Sequence, residues 1–138
     1  MKEIPWDWTM VKSALRWGHD LGKINNSITK GKGNVAGRLG ELAFASYVGA
    51  TVEDEKDFDI ILKGEKIEVK TKRRTVAPKG GYEVSVASTS LHQNPDRYVF
   101  ISIQFKRKVG FDYYGLKSIW LCGDMLAKEY IKKSWVWK

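Results

Sequence analysis

The stretch Phe58–Arg74, FDIILKGEKIEVKTKRR, decides how this chain is read. Apolar residues alternate at Phe58, Ile60 and Leu62 and again at Ile67 and Val69, with a break at Lys63-Gly64-Glu65, the pattern of two strands joined by a tight turn. Strand alternation puts Glu68 and Lys70 on one face and Val69 on the other. Asp59 joins them if the turn has two residues. With Lys63-Gly64 as the turn it stands opposite Glu68, with Gly64-Glu65 opposite Lys70, and in both registers it shares their face. A three-residue turn without a bulge puts it on the wrong side. Asp57 shares the face of Asp59, and at this level the choice between the two carboxylates stays open.

Carboxylates a few ångströms apart repel, and each raises the other's pKa unless a cation sits between them. Oxygen ligands with no histidine or thiol nearby point to Mg2+ or Mn2+, which bind through one or two carboxylates, waters and phosphate oxygens. Lys70, on the same face, then suits a phosphate or an attacking water. The competing reading of the hairpin alone is a cross-strand ladder of surface ion pairs, common and worth little.

Outward from the hairpin, residues 7–24 carry loosely helical apolar spacing at Met10, Leu15, Trp17, Leu21 and Ile24, with Asp7 or Thr9 as N-cap. NNSITKGKGN, residues 25–34, reads as a loop whose Lys30 and Lys32 suit phosphate contacts. A second helix is expected from Asn34 as N-cap to about Val48, stopped by Gly49. In it Leu39, Leu42, Ala43 and Ser46 form one stripe, and Glu41 falls on another with Phe44 and Val48. A carboxylate so placed borders the core or lines a site, because burying it unpaired is too costly. Beyond the hairpin, YEVSVAS (82–88) reads as a strand, STSLHQNPDR (88–97) as a short helix or loop, and RYVFISIQF (97–105) as a central strand. LKSIWLCG (116–123) reads as a further strand, DMLAKEYIKK (124–133) as a closing helix capped by Asp124, and the final SWVWK as an edge strand. The layout is α/β, a mixed sheet flanked by helices in a single domain over 1–138, with its core at about 34–106, an N-terminal helix at about 7–24 and a C-terminal strand and helix at about 117–133.

A chain of 138 residues with 43% hydrophobic content suffices for one packed core. Cys122 is the only cysteine, which excludes an internal disulfide and any cysteine-based zinc site. No apolar run is long enough to cross a membrane and no signal peptide opens the chain, so an intracellular, cytoplasmic protein is expected. The net charge of +8 favours a polyanionic partner, nucleic acid before membrane, and from Lys63 to Lys79 there are seven basic residues against two acidic ones.

Glu41 on a helix, DFD at a strand and IEVK on the next resemble the PD-(D/E)XK nuclease superfamily over roughly Asn34–Phe105. The order of elements and the spacing agree with that signature, although Phe58 stands where a proline often precedes the aspartate. The resemblance implies a restriction-endonuclease-like fold and metal-dependent hydrolysis of phosphodiesters in DNA. It implies that Asp59 and Glu68 hold the metal with the Val69 carbonyl, and that Glu41 acts through a metal-bound water or a second ion. Lys70 would then position and help deprotonate the nucleophilic water. Lys72, Arg73 and Arg74 continue past the site and suit the DNA backbone. A small enzyme directed by DNA structure or weak sequence is expected, of the phage-type processing, junction-resolving or repair kinds, and a homodimer would suit cutting both strands. The alternative is a non-catalytic basic nucleic-acid-binding module on the same fold, which has no need of Glu41, Asp59, Glu68 and Lys70 together.

Two other features compete less well. GHDLGK (18–23) resembles the HD motif of metal-dependent phosphohydrolases, but no histidine precedes His19, and the strand-rich remainder does not suit that all-helical fold. The six tryptophans are expected mostly in the core, with base stacking or a dimer interface as the other uses of Trp6, Trp8 or the terminal pair.

Overall fold

The computed structural model describes residues 1–25, 32–53, 59–78, 95–106 and 113–129. The chain begins with a short strand, β1 (Lys2–Ile4), followed by α1 (Trp8–Asn25) and α2 (Lys32–Val48). Next come β2 (Ile60–Leu62), β3 (Glu65–Arg74), β4 (Arg97–Phe105) and, after a 3-10 turn at Tyr113–Gly115, β5 (Leu116–Leu126). The five strands form one mixed sheet in the order β1-β5-β4-β3-β2, which makes the apolar β4 its central strand, as its sequence predicts.

Local chemistry accounts for the boundaries. Asp7 caps α1, its Oδ1 accepting the Met10 N–H at 3.0 Å, and so satisfies a donor that has no partner within the helix. α2 ends in a Schellman arrangement: the Gly49 N–H donates to Ser46 O at 3.4 Å, the Ala50 N–H donates to Ala45 O at 2.8 Å, and Gly49 sits at φ 75°. Its start differs from expectation, since the helix begins at Lys32, two residues before Asn34. The hairpin turn is Lys63-Gly64, with φ values of 50° and 80°, and Leu62 pairs with Glu65. Positive φ at both turn residues matches the twist of the flanking strands, and glycine adopts it without steric cost.

β3 and β4 run parallel, with Glu68 beside Tyr98 and Lys70 beside Phe100, while β4 and β5 are antiparallel. One face of the sheet, with Ile67, Val69, Val99, Ile101, Ile103 and Ile119, packs with Val11 and Ala14 of α1 and Leu39 and Ala43 of α2 into the main core. Tyr98 and Phe100 point to the other face and cluster with Cys122, Met125 and Ala127.

One reading near the C-terminal end is corrected. Asp124, Met125 and Leu126 do not open the closing helix but continue β5 opposite Val99, Tyr98 and Arg97, and helical structure begins only at Ala127 and runs to Glu129, the last described residue of that segment. Strand pairing with β4 overrides the capping signal, and the Asp124 carboxylate instead meets Arg97 Nη1 at 3.5 Å. β1, which the sequence reading did not anticipate, is an edge strand with Ile4 buried and paired with Ile119 of β5, and the edge strand expected at SWVWK lies outside the described residues. The proposed strand at 82–88, the loops at 25–34 and 88–97 in large part, the C-terminal residues from 130 onward, and Asp57 and Lys30 lie outside the described residues. No described helix is long and apolar enough to cross a membrane.

Candidate active site

The site forms where β2 parts from β3. Asp59 immediately precedes β2, and its backbone is held on both sides, its N–H donating to Ile67 O at 2.9 Å and its carbonyl accepting the Glu53 N–H at 2.7 Å. Beyond this point β2 no longer borders β3, and the Asp59 side chain takes over the ladder: its Oδ2 accepts the Val69 N–H at 2.9 Å. N–H and C=O of one strand residue point the same way, so the Val69 carbonyl is directed toward the same edge. The two-residue turn places Asp59 at the register position of Glu68, the first of the two alternatives open from sequence.

Glu68 is 5% exposed. Its carboxyl is pushed up to about 9, first by burial, then by a hydrogen bond and charge repulsion from Asp59, with a smaller push from Glu41. Lys70 Nζ, 3.9 Å from Glu68 Oε1, pulls the other way without prevailing. Glu68 Oε2 is buried with no hydrogen-bond partner. The structure thus brings Asp59, Glu68 and Lys70 together and holds Glu41 within electrostatic reach of them.

Glu41 arrives from α2, and its depth is set by the residue before it. A Cβ on Gly40 would collide with the Thr71 hydroxyl of β3, so the glycine lets the helix backbone sit close against the strand that carries Glu68 and Lys70. The Glu41 carboxylate is met by Arg38 Nη1 at 3.4 Å.

The donor set fits a hard divalent cation. A cation would relieve both the orphaned Glu68 Oε2 and the crowding that keeps this carboxyl protonated at neutral pH. Among the described residues no group of three or more His, Cys, Asp or Glu is arranged to hold a metal ion by side chains alone. Asp59, Glu68 and the Val69 carbonyl, completed by water, remain a set of the kind Mg2+ accepts.

Of the residues expected to touch nucleic acid, Lys72 and Arg73 are exposed on β3. Arg74 is half-buried, its Nε donating to Ser102 Oγ at 3.2 Å. Lys32 opens α2. His19 is exposed on α1. Of the four described tryptophans none is fully buried: Trp6 packs against the core, Trp8 meets it edge-on at 5.1 Å and is 47% exposed, and Trp120 donates to Gln104 Oε1 at 3.2 Å. Trp17 lies beneath Arg38, whose Cζ is 5.2 Å from the ring centroid. Neither Arg38 nor Trp17 was singled out from the sequence as part of a site. The available signal was the opposite charge three residues before Glu41 on one helix. Compared with protein-family models and with curated proteins, the chain matches none.

Proposed function

We propose that this protein is a Mg2+-dependent endonuclease of restriction-endonuclease-like architecture, hydrolysing phosphodiester bonds in DNA, with Mn2+ able to substitute. One observation carries the reading: a buried carboxyl with an orphaned oxygen, Glu68, lies between Asp59 and Lys70 at the point where two strands separate. A structural ion pair has no use for a second carboxyl that destabilises it, whereas a cation site does. The mixed sheet, with a hairpin followed by a parallel strand, agrees with the expected architecture.

Asp59, Glu68 and the Val69 carbonyl would hold the cation, and Glu41 would take part through water or a second ion. When bound, the cation lowers the pKa of a coordinated water and draws charge from the phosphate oxygens. Lys70 orients the attacking water beside the scissile phosphate, and its ammonium offsets the negative charge that grows there. Asp59 also fixes the strand edge, through Val69, so that carboxylate and carbonyl keep one geometry. Lys72 and Arg73 bind the DNA backbone beyond the site. With no separate base-reading element among the described residues, the preferred substrates are distinguished by DNA structure or weak sequence.

The test is incubation with plasmid, single-stranded and branched DNA in Mg2+, Mn2+ or EDTA. Cutting requires the metal, and Glu68→Ala and Lys70→Ala each reduce it by roughly 10²–10⁴-fold while DNA binding persists. Binding without cutting by the parent protein would leave a nucleic-acid-binding module, and equal cutting by parent and both variants would remove the assignment.

A further inference from the structure

We propose that Arg38, seated on Trp17, is a positioning residue that holds the Glu41 carboxylate toward Asp59, Glu68 and Lys70. The inference rests on the nuclease reading and adds a residue to it. Arg38 and Glu41 are three residues apart on α2, a spacing at which side chains meet. On an open helix surface such a pair is worth only a few tenths of a kcal/mol and fixes little. This pair is different in its surroundings, because the two side chains are only 14% and 15% exposed and the guanidinium lies over an indole. A planar guanidinium stacked on a ring gives up most of its rotational freedom, so its N–H groups point in set directions. Nη1 points at Glu41 Oε2, 3.4 Å away.

The two controls on Glu41 are separate. Gly40 against Thr71 sets how close the helix backbone lies to β3. Arg38 sets the direction of the side chain, and through Trp17 it ties that direction to α1, a helix that supplies no other described side chain to the site. Charge points the same way. Glu41 bears on a neighbourhood already crowded by Asp59 and Glu68, and Arg38, paired with it at 3.4 Å, offsets its charge, as Lys70 offsets that of Glu68. Outer contacts of this kind commonly change activity by tenfold to a hundredfold while touching neither metal nor substrate.

A double-mutant cycle separates this role from a contribution to folding. Arg38→Ala is expected to lower the single-turnover rate of DNA cutting in Mg2+ by roughly 10–100-fold. Affinity for the same DNA in EDTA stays within about twofold if Arg38 does not hold substrate directly, and Arg38→Lys, which keeps the charge but loses the planar fork, gives an intermediate rate. In a Glu41→Gln background Arg38→Ala causes no further loss, and the two substitutions also couple in the melting temperature measured in EDTA. Cutting abolished by Glu41→Gln but unchanged in Arg38→Ala overturns the positioning role and leaves the nuclease reading standing. Equal losses from Arg38→Ala in both backgrounds overturn it as well. If Arg38→Ala does not fold, Arg38→Lys carries the same comparison, and a parental rate from it in both backgrounds overturns the proposal. Absence of metal-dependent cutting by the parent protein removes both readings together.

Discussion

The Asp59 carboxylate accepts the Val69 backbone N–H at 2.9 Å, replacing a strand that has just ended. One side chain therefore closes a sheet edge and stands beside the buried Glu68, and substitutions can separate the two tasks. Asp59→Ala leaves a part-buried N–H without its acceptor and is expected to cost about 1–3 kcal/mol of stability in urea unfolding. Asp59→Asn retains an acceptor oxygen, so it unfolds close to the parent while losing metal-dependent cutting. An Asp59→Asn variant that cuts at the parental rate would show that the charge is not used.

The raised Glu68 pKa has a definite sign in stability. A carboxyl at about 9 in the folded protein and near 4.5 when unfolded keeps its proton longer in the folded state. Between those values the folded state binds more protons, so stability falls as pH rises, being greatest below about 4.5 and lost by about 9. In EDTA the melting temperature should therefore decline across this window, and Glu68→Gln, neutral throughout, should flatten the decline. Added Mg2+ or Mn2+ should stabilise the parent more at the alkaline end, where the carboxylate forms more readily, and should do little for Glu68→Gln. Thermal melts at several pH values, with and without metal, check all three.

Gly40→Ala puts a methyl group into the Thr71 hydroxyl and must lift α2 from β3. Overpacking of this kind costs about 1–3 kcal/mol. Because Glu41 is the next residue, the same variant is expected to lose cutting beyond what its stability explains. Thr71→Ala in the same chain removes the hydroxyl and should restore part of both, measured by melting temperature and by cutting well below that temperature.

Basic residues at the end of β3 should divide by their surroundings. Lys72→Ala and Arg73→Ala, at exposed positions, should each weaken binding to all DNA sequences alike and reduce the slope of log K against log salt by about 0.9, or about 0.7 on single strands. Arg74, bonded to Ser102, should act more on stability when replaced. Salt titrations of binding on two unrelated sequences distinguish a backbone contact from a base contact.

The hairpin was legible in the chain because its information is local. Alternation, a turn glycine and the short E-X-K spacing fix which side chains share a face, and Lys63-Gly64 settles the register once its positive φ angles are known. α1 was legible through Asp7, although the residues it buries include Val11 and Ala14 while Leu15, expected on the apolar stripe, is exposed, and α2 was legible through Gly49. β4 announced itself as central by being apolar along almost its whole length. The C-terminal part of β5 was misread as helix because an aspartate before an apolar run is a local capping signal, whereas its pairing with β4 is a contact between distant residues.

By itself the sequence determined that a hairpin strand would carry Glu68 and Lys70 on one side, since strand geometry has a period of two, and that Asp59 would join them for a two-residue turn. Only the tertiary structure decided that Glu68 would be buried and crowded enough to keep its proton, and that Glu41 would act on it electrostatically from a helix packed through Gly40 onto Thr71. Burial and charge at a side chain depend on what other segments place around it, and the seating of Arg38 on Trp17 follows from the packing of two helices, which no spacing within either one specifies.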